Sequence, residues 1–469
     1  MINVLVKSKE FENDIHSIVK AFYPDEKVVV TDSADGLDPA DDLIKIDFPD
    51  DLTESKSKLR SVLKRRIYDM LSKSLGKELP WGSLTGVRPS ALCVKAYEEG
   101  KTDEEVFSYM KDSFAVSDKK LGLATDIAKR EIKLLNTIDF KNEVSVYVGI
   151  PFCPTTCAYC SFASNPVAGN EENIEKYLYA LFHELEFAKE YLNGKAPTSI
   201  YIGGGTPTSL NENQLERLLG RISEVVNLKP VKELTIEAGR PDSITREKLK
   251  LIKDFGFNRI SVNPQTLQQK TLDIIGRKHT VEQFFDAFYM AREMGFDNIN
   301  TDLILGLPGE TLEDVKDTAS KIKELNPESL TVHSLAMKRT SRLNLESESF
   351  SDYEINNSET HQQVFEDLAA ELGLNPYYMY RQKNMAGSLE NTGYAKEGKE
   401  CIYNILMMEE KQSIIAFGAG NISKRVFYYN PGEAKTTHDI ERAANVKDLQ
   451  EYLNRVDEMV ERKRKLFCN

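Results

Sequence analysis

Short apolar runs alternate with helical stretches through the middle of the chain. Six β-type runs occur between residues 144 and 335, and stretches with apolar residues at helical spacing separate them. These runs are VSVYVGI, TSIYIGG, ELTIEA, RISVN, INTDLIL and SLTVHSL. Because each strand is followed by a crossover, the pattern predicts parallel pairing. We expect an α/β fold, a partial (β/α)6 barrel shorter than the eight units of a complete barrel, with its site at the carboxyl ends of the strands.

The beginning of the chain follows a different pattern. Three β-type runs, NVLVK, KVVVTD and DLIKIDF, lie in the first 50 residues, and an amphipathic stretch from Glu12 to Phe22 separates the first two. Helical spacing then extends over four stretches: Lys56 to Leu75, Ser90 to Tyr97, Asp103 to Asp112 and Lys119 to Asn136. The pattern indicates an α+β module that precedes the repeat of strands and helices.

Three domains follow from these changes of pattern. We assign residues 1–138 to the N-terminal α+β module, 139–337 to the partial barrel, and 338–469 to a C-terminal α/β domain that covers the open side of the sheet. The N-terminal segment LPWGSLTGVRPS holds Trp81, the only tryptophan, between Gly and Pro residues. We interpret this segment as an ordered connector with a buried anchor; the alternative is a lid or a partner contact.

Composition and charge narrow the range of functions. The chain has 469 residues, of which 41% are hydrophobic, and its formal charge is -13. An acidic surface repels a phosphate backbone, so no nucleic-acid partner is expected. The N-terminus lacks a basic segment followed by an apolar core, and no run approaches the ~18 apolar residues of a membrane span, which predicts a cytoplasmic protein. Six cysteines, three of them clustered, do not form a disulfide framework.

Three cysteines lie close together directly after the first strand of the repeat. Cys153, Cys157 and Cys160 have the spacing C-x3-C-x2-C in the segment VYVGIPFCPTTCAYCSF. Three thiolates on one loop can bind three irons of a four-iron, four-sulfur cluster and leave the fourth iron open for a ligand. The alternative is a zinc site, although structural zinc usually takes four protein ligands and no His or fourth Cys is near in sequence.

A glycine-rich segment follows the second strand of the repeat. It reads YIGGGTPT from Tyr201 onward. Consecutive glycines let the backbone approach a ligand closely, because no Cβ holds it off, and their amides can meet a charged end of the ligand. Three glycines alone often mark only a turn. Their position at a strand end, after the cysteines, strengthens the functional interpretation.

With these motifs, the chain resembles the radical S-adenosylmethionine (SAM) enzymes, and among them the oxygen-independent coproporphyrinogen III oxidases, also called coproporphyrinogen dehydrogenases. The resemblance runs from about residue 144 to 335 and more loosely to about 423. Its N-terminal module makes the chain most similar to the longer, oxidase-like branch of this family. The resemblance implies a partial barrel of radical SAM type, a [4Fe-4S] cluster on Cys153, Cys157 and Cys160, and one or two SAM molecules, with the SAM amino and carboxylate groups on the open iron.

The resemblance also carries over the family's contacts to SAM, position by position. These contacts fall on Tyr147, Tyr159, Gly204, Gly205, Thr206, Glu237, Gln265, Arg277, Asp302, Ala336 and Ile422. The residue types agree with this role, since Glu237 and Asp302 can accept hydrogen bonds from an amino group or ribose hydroxyls, and Arg277 can pair with a carboxylate. The generic alternative is that the acidic residues are solvated and that Arg277, beside Lys278, is a surface charge.

The implied function is the oxidative decarboxylation of two propionates of coproporphyrinogen III to vinyl groups, which gives protoporphyrinogen IX in anaerobic heme biosynthesis. In the family, a 5'-deoxyadenosyl radical from SAM takes a hydrogen atom from a propionate. No protein acid or base is required for this step, so we expect no catalytic residue beyond the cluster and the cofactor. The implied partners are a tetrapyrrole substrate and a reduced electron donor of flavodoxin or ferredoxin type.

Two positions depart from the family pattern. Phe162 stands where characterised bacterial oxidases carry an additional cysteine and where the shorter heme-trafficking relatives have an aromatic residue, and Asn263 replaces a family glycine. The histidine of those heme carriers is missing from the C-terminal region, where the chain has Glu390 and Asn391. Two alternatives stay open: a heme-binding trafficking protein without decarboxylase activity, and a radical SAM tetrapyrrole methyltransferase or ring-opening enzyme.

Aromatic and cationic residues in the C-terminal part are candidates for contact with the substrate. They are Tyr377, Tyr378, Tyr380, Arg381 and Lys383. Flat rings and cations would suit a tetrapyrrole with four propionates, and a tyrosine-rich core edge explains the same residues equally well. His333, at the end of the sixth strand, is the histidine best placed to face the site.

Overall fold

The structure is a computed structural model, and it describes residues 1–24, 26–35, 38, 42–46, 55–86, 88–162, 164–382, 389–429 and 438–468. The chain forms two compact units. One unit comprises Met1–Arg130 and Met379–Asn391, and the other comprises Glu131–Tyr378 and Thr392–Asn469. No described helix is long and apolar enough to cross a membrane.

The N-terminal unit combines a small parallel sheet with helices. Its elements are β1 (Ile2–Val6), α1 (Glu12–Phe22), β2 (Val28–Thr31), β3 (Asp42–Ile46), α2 (Lys56–Leu75), α3 (Pro89–Glu98), α4 (Asp103–Phe114) and α5 (Asp118–Leu135), which continues into the second unit. β1 pairs in parallel with both β2 and β3. The predicted strands and helices of this part are therefore confirmed within the described residues, where their ends shift by two residues at most. The last two residues of the predicted run DLIKIDF, 47 and 48, lie outside the described residues.

Trp81 is a buried anchor, as predicted. Its side chain is 1% exposed, and its Nε1 donates to the Glu390 carboxylate at 2.7 Å. The Lys120 ammonium binds the other oxygen of Glu390, also at 2.7 Å, and both side chains are buried. A buried charge is tolerated when it is paired and hydrogen-bonded, and removing one partner strands the other. The connector around Trp81 is thus part of the core of its own unit.

The larger unit contains the repeat of strands and helices. Its elements are β4 (Val144–Ile150), β5 (Phe152–Cys153), β6 (Asn165–Pro166), α6 (Glu171–Leu192), β7 (Ser199–Gly204), α7 (Glu212–Val225), β8 (Glu233–Glu237), α8 (Arg246–Asp254), β9 (Arg259–Ser261), α9 (Gln269–Ile274), α10 (Val281–Glu293), β10 (Ile299–Leu305), α11 (Leu312–Leu325), β11 (Ser329–Ser334), α12 (Arg342–Leu345), α13 (Glu359–Glu371), β12 (Asn375–Tyr380), β13 (Asn391–Ala395), α14 (Ile402–Glu409), β14 (Ser413–Phe417), β15 (Ile422–Tyr428), β16 (His438–Ala444), α15 (Leu449–Asn454) and α16 (Val456–Cys468). The boundaries between the units fall within β12 and β13.

The six predicted strands are neighbours in one sheet, and all are parallel. The order of the sheet is β12-β13-β11-β10-β9-β8-β7-β4-β14-β15-β16. From β4 to β11, omitting the short β5 and β6, each strand pairs in parallel with the next in the chain. Residues such as Val148, Ile200 and Leu303 are fully buried because helices cover a parallel sheet. The predicted α/β fold is confirmed, and the carboxyl ends of these strands meet at one edge of the sheet.

Strands from the C-terminal part of the chain flank this set on both sides. β14 pairs in parallel with β4, and β15 and β16 extend the sheet with antiparallel pairing. On the other side, β13 pairs antiparallel with β11. The division into three domains, with the third covering the open side of the sheet, stays a prediction.

A buried polar network fixes the turn between β14 and β15. The Glu184 carboxylate accepts hydrogen bonds from the Gly418 amide at 2.7 Å and from the Tyr452 hydroxyl at 2.6 Å. Its other oxygen accepts from the Asn445 side chain and from the Lys463 ammonium. Because every charge in this network is paired, it can be buried without a large penalty. The turn is therefore held at the side of the sheet where β4 ends.

Candidate active site

The cysteine loop, residues 151–162, follows β4 and is held from two sides. The amide of Ala158 donates to the Ile275 carbonyl at 2.9 Å, and the carbonyl of Ala158 accepts from the Leu343 amide at 2.9 Å. β5, which lies within the loop, pairs with β6, which follows the loop. These backbone bonds give the loop a defined shape, as a ligand-bearing loop needs.

The glycine-rich segment packs directly on the cysteine loop. The Gly205 amide donates to the Ile150 carbonyl at 2.8 Å. The Thr206 amide donates to the Phe152 carbonyl at 2.7 Å, and its hydroxyl donates to Cys153 Sγ at 3.4 Å. A Cβ on Gly205 would lie 2.5 Å from the Phe152 carbonyl and 3.0 Å from Cys153 Sγ. Position 205 must therefore be glycine, because the cysteine loop occupies the space of a side chain.

Glu237 is the last residue of β8 and carries a carboxyl group that titrates near neutral pH. The Tyr201 hydroxyl donates to its Oε1 at 2.7 Å. A Cβ on Gly203 would lie 2.9 Å from this carboxyl group, so a side chain at position 203 would displace it. Burial raises the pKa of Glu237 to about 7; the hydrogen bond from Tyr201 opposes the shift, and the nearby charge of Asp302 adds to it. An acid whose ionised form is disfavoured in this way gains from a cationic ligand.

Asp302 projects from β10 and is held by neutral amides. The Asn263 side chain donates to Oδ2 at 2.9 Å, and the Asn300 side chain donates to Oδ1 at 2.6 Å. Nε2 of His333 lies 3.9 Å from Oδ2, so this histidine does reach the site. Burial opposes the ionisation of Asp302, but His333 and the hydrogen bonds outweigh it and lower the pKa. Asp302 is therefore ionised at neutral pH.

Gln265 has a left-handed backbone, with φ of 69°. Its amide donates to the Asp302 carbonyl at 3.0 Å, and its carbonyl accepts from the Ile304 amide at 2.9 Å. This conformation costs a residue other than glycine on the order of 1 kcal/mol, and it recurs at ligand sites. Its side-chain Oε1 is buried without a hydrogen-bond partner in the described part of the chain. A donor on a ligand would satisfy it.

Arg277 lies behind the cysteine loop and is 4% exposed. Its Nη1 donates to Cys157 Sγ at 3.8 Å and to the Tyr159 hydroxyl at 3.2 Å. Its Nη2 donates to the carbonyls of Gly239, at 2.9 Å, and Asn263. The alternative in which Arg277 is a surface charge is therefore wrong. The guanidinium links the cysteine loop to the ends of β8 and β9.

Three tyrosines form a stacked wall at the site. The ring of Tyr147 lies 6.0 Å from that of Tyr201 and 5.7 Å from that of Tyr403, measured between centroids. The rings of Tyr201 and Tyr403 are 4.7 Å apart. Stacked rings have little freedom, so they hold the Tyr201 hydroxyl on the Glu237 carboxyl.

Ala336 and Ile422 are two further predicted contacts. Ala336 lies two residues after β11 and is half-buried, and Ile422 begins β15 and is 50% exposed. Next to Ile422, the side chain of Asn421 occupies the space that a Cβ on Gly149 would need. The turn before β15 therefore touches the carboxyl end of β4. The role of all these residues in binding SAM stays a prediction.

Comparison with known proteins agrees with this geometry. Residues 147–322 match the family model described as the Radical SAM superfamily. The chain is 37% identical to the oxygen-independent coproporphyrinogen-III oxidase-like protein HemZ of Bacillus subtilis (strain 168), over 94% of this chain and 87% of HemZ. The chain belongs to the oxygen-independent coproporphyrinogen III oxidase family of radical SAM proteins.

Two further similarities place this radical SAM protein among its relatives. It is 34% identical to the heme chaperone HemW of Bacillus subtilis (strain 168), over 59% of this chain and 69% of HemW. Coproporphyrinogen III oxidase (HemN) from Escherichia coli, a radical SAM enzyme, matches its structure with a TM-score of 0.53 and 24% identity over 70% of this chain and 72% of that chain. The radical SAM fold expected from the sequence is confirmed.

The radical SAM family implies a [4Fe-4S] cluster and SAM, and the cysteine loop fits such a cluster. Burial raises the pKa of the Cys153 thiol, and it raises that of Cys160 to about 11, so a bound metal would have to deprotonate them, as metals do. Among the described residues, no three His, Cys, Asp or Glu side chains converge on a single ion. A cluster does not require such convergence, because each thiolate binds a different iron, whereas a zinc site does.

The opposite side of the site fits SAM. The ionised Asp302 and the titratable Glu237 offer two acceptors to an amino group or to hydroxyls, and the Gln265 Oε1 is available for a donor. Glu237 ends β8 and Gln265 follows β9 at the carboxyl edge of the sheet, and Asp302 lies within β10 beside Gln265. This is the edge from which the cysteine loop also begins.

The structure adds three residues that sequence reasoning missed as parts of the site. Tyr201 binds Glu237, and its place two residues before the glycines was the available signal. Asn263 holds Asp302, although in sequence it is only a departure from the family glycine. Arg240 donates to the Thr155 carbonyl of the cysteine loop at 3.2 Å, and nothing in the sequence marks it.

The candidates for contact with the substrate are only partly supported by their positions. Tyr377 is fully buried and Tyr378 is 5% exposed, which favours the core interpretation of both rings. In the N-terminal unit, Arg381 donates to the Leu84 carbonyl, and Lys383 lies outside the described residues. Phe162, by contrast, is 72% exposed at the end of the cysteine loop.

Proposed function

We propose that this protein is a radical SAM oxidoreductase of anaerobic heme biosynthesis, which converts two propionates of coproporphyrinogen III to vinyl groups and so forms protoporphyrinogen IX. The observation that carries the proposal is the meeting of a three-cysteine loop with two half-buried carboxyl groups, Glu237 and Asp302, at one edge of the sheet. When bound, the cluster and SAM supply one-electron cleavage of SAM and abstraction of a hydrogen atom.

In this proposal, the chain's own residues bind and orient the cluster and SAM. Cys153, Cys157 and Cys160 would hold three irons, and the remaining iron would take the amino and carboxylate groups of SAM. Ionised Glu237 and Asp302 would accept hydrogen bonds from SAM. The stacked rings of Tyr147, Tyr201 and Tyr403 would limit its position. A dry, rigid site keeps a reactive species from water, which is the contribution that the protein makes in cofactor chemistry. We assign one SAM molecule to these residues and a reduced flavodoxin or ferredoxin as electron donor.

The test is anaerobic incubation of the reconstituted full-length protein with SAM, a reductant and coproporphyrinogen III, followed by mass spectrometry. We expect 5'-deoxyadenosine and a porphyrinogen that has lost two carboxyl groups with the abstracted hydrogens. Cys157→Ala should abolish both products, whereas Cys401→Ala, at a buried cysteine far along the chain, should retain both. Deoxyadenosine without a decarboxylated porphyrinogen would contradict the proposed reaction and leave the radical SAM chemistry standing.

The similarity to HemW favours a second candidate, a heme-binding trafficking protein. Phe162 supports it, because an exposed aromatic ring at the cysteine loop could lie against a porphyrin face. This candidate predicts stoichiometric heme binding and no vinyl product in the same assay. Heme titration followed by absorbance, with Phe162→Ala as the variant, separates it from the oxidoreductase.

A further inference from the structure

Arg240 reaches the cysteine loop from the end of β8. It is 3% exposed, and its Nη1 lies 3.8 Å from Cys157 Sγ and 3.1 Å from the Thr155 hydroxyl. The other edge of the guanidinium is bound by Asp242, with Nε to Oδ1 at 2.9 Å and Nη2 to Oδ2 at 2.7 Å. A two-point bond of this kind fixes both the position and the plane of a guanidinium. Arg240 is therefore oriented by Asp242 toward a cysteine that would bind the cluster.

Two of the three cysteines, Cys157 and Cys153, have partners of different charge. Cys157 Sγ accepts hydrogen bonds from Nη1 of Arg240 and from Nη1 of Arg277, each at 3.8 Å. Cys153 Sγ accepts a hydrogen bond from the hydroxyl of Thr206, which is neutral. Two buried cations at one sulfur are costly to place in a protein interior unless a negative group balances them. Asp242 supplies only one carboxylate, so a cluster with thiolate ligands would complete the balance.

The properties of His279 reflect the positive charge near Cys157. Its side chain is fully buried, and neither ring nitrogen has a hydrogen-bond partner among the described residues. Burial, together with the charges of Arg277 and Arg240, lowers its pKa to about 3, against the opposing effect of Asp242. The imidazole is therefore neutral at physiological pH, and the two guanidinium groups face one carboxylate.

We propose that Arg240, oriented by Asp242, is a positioning residue for the cluster: with Arg277 it places positive charge at Cys157 and so raises the reduction potential of the cluster. The inference rests on the proposed cluster but not on the identity of the tetrapyrrole. Reduction adds a negative charge to the cluster, and nearby cations and hydrogen bonds to its sulfurs stabilise the reduced state. This effect is strong where water is excluded, as it is around Arg240.

The test measures the midpoint potential of the reconstituted full-length protein, without substrate, by a redox titration followed by EPR. Arg240→Gln removes the charge and should shift the potential to a more negative value at unchanged iron content. Arg240→Lys keeps the charge without the fork and should fall between this variant and the wild type. The matched control is Arg246→Gln, because Arg246 is exposed and pairs with Glu293 at 2.6 Å; its potential should equal that of the wild type.

An unchanged potential in Arg240→Gln with full iron content would overturn the inference. Weaker SAM binding at an unchanged potential would also overturn it, since Arg240 would then be a cofactor contact. If Arg240→Gln does not retain the cluster, Arg240→Lys decides: a potential below that of the wild type supports the inference, and an unchanged potential overturns it. A wild type that yields no decarboxylated product is a separate failure, that of the proposed reaction.

Discussion

Glu233 and Glu237 begin and end the same strand, β8, and their carboxyl groups have opposite surroundings. Glu233 is 4% exposed, and it accepts hydrogen bonds from the amides of Ile402, at 2.6 Å, and Tyr403, at 3.3 Å, in the first turn of α14. Glu237 accepts from the Tyr201 hydroxyl, and burial raises its pKa to about 7.

The comparison separates stability from function within one sheet. At the amino end of β8, the first amides of a helix satisfy a carboxylate that would otherwise be costly to bury. At the carboxyl end, Glu237 is poorly stabilised as an anion, and the nearby Gln265 Oε1 has no partner within the described residues. Unsatisfied polar groups lower stability, and they persist where a ligand will satisfy them.

The largest expected effect is the difference between two substitutions: of Cys157, in the loop at the carboxyl end of the sheet, and of Cys401, at the amino end. Cys157→Ala removes a proposed cluster ligand, so the reconstituted protein should lose the cluster and form no 5'-deoxyadenosine. Cys401 is buried at the amino end, where its sulfur lies 3.4 Å from Glu233. Cys401→Ala should keep the iron and sulfide content of the wild type and cost about 1–2 kcal/mol of unfolding free energy. Wild-type iron in Cys157→Ala would contradict the assignment of the site.

The next largest effect is expected when the carboxyl groups of Glu233 and Glu237 are replaced by amides. Glu233→Gln should lower the unfolding free energy by about 2 kcal/mol, because its backbone donors lose a charged acceptor, and leave SAM affinity unchanged. Glu237→Gln should weaken SAM binding by about tenfold to a hundredfold, the value of a hydrogen bond to a charged group, with little loss of stability. Denaturant unfolding and equilibrium dialysis measure the two quantities. Equal losses of stability in both variants would remove the distinction.

The pH dependence should differ between wild type and Glu237→Gln. The folded pKa of Glu237, about 7, lies above its usual value, so its protonated form is favoured by folding. The associated stability is present below about pH 4.5 and is lost as the pH rises through about 7. The stability of Glu237→Gln relative to the wild type should therefore increase between pH 5 and pH 8, by about 1–2 kcal/mol. Parallel stability curves for the two proteins would contradict this.

The smallest effect concerns two asparagines. Asn263→Gly restores the family glycine and removes the amide that binds Asp302 at 2.9 Å, so SAM affinity should fall about threefold to tenfold. Asn258 is the counterpart at the amino end, where its Oδ1 accepts from the Leu234 amide at 3.2 Å. Asn258→Gly should lower stability and leave SAM affinity unchanged. Isothermal calorimetry on both variants measures the difference, and an unchanged affinity in Asn263→Gly would show that Asp302 needs no such support.

The sheet and the cysteine loop were predictable from sequence because their signals are local. Apolar runs separated by helical stretches predict the parallel strands, and the spacing of Cys153, Cys157 and Cys160 lies within one loop. The strands that the C-terminal part adds beside β4 and β11 were not predicted, because pairing over long separations leaves no periodic signal.

The residues that surround the site were harder to predict for the same reason. Arg240 stands two residues before Asp242, which in sequence is typical of an exposed ion pair, and only the return of the chain to the cysteine loop shows its second contact. Glu184 lies on an amphipathic helix, and its burial depends on Lys463 near the far end of the chain. Tertiary contacts of this kind are invisible to motifs.

The position of β14 affects how the protein is made. β4, the strand that leads into the cysteine loop, has β7 on one side and β14 on the other, and β14 is translated long after both. Until it leaves the ribosome, the nascent chain presents β4 as an open edge, which is prone to pair with other chains. Metal loading of an incomplete chain would therefore compete with aggregation, and a stop codon ahead of β14 would yield insoluble protein rather than a shorter enzyme.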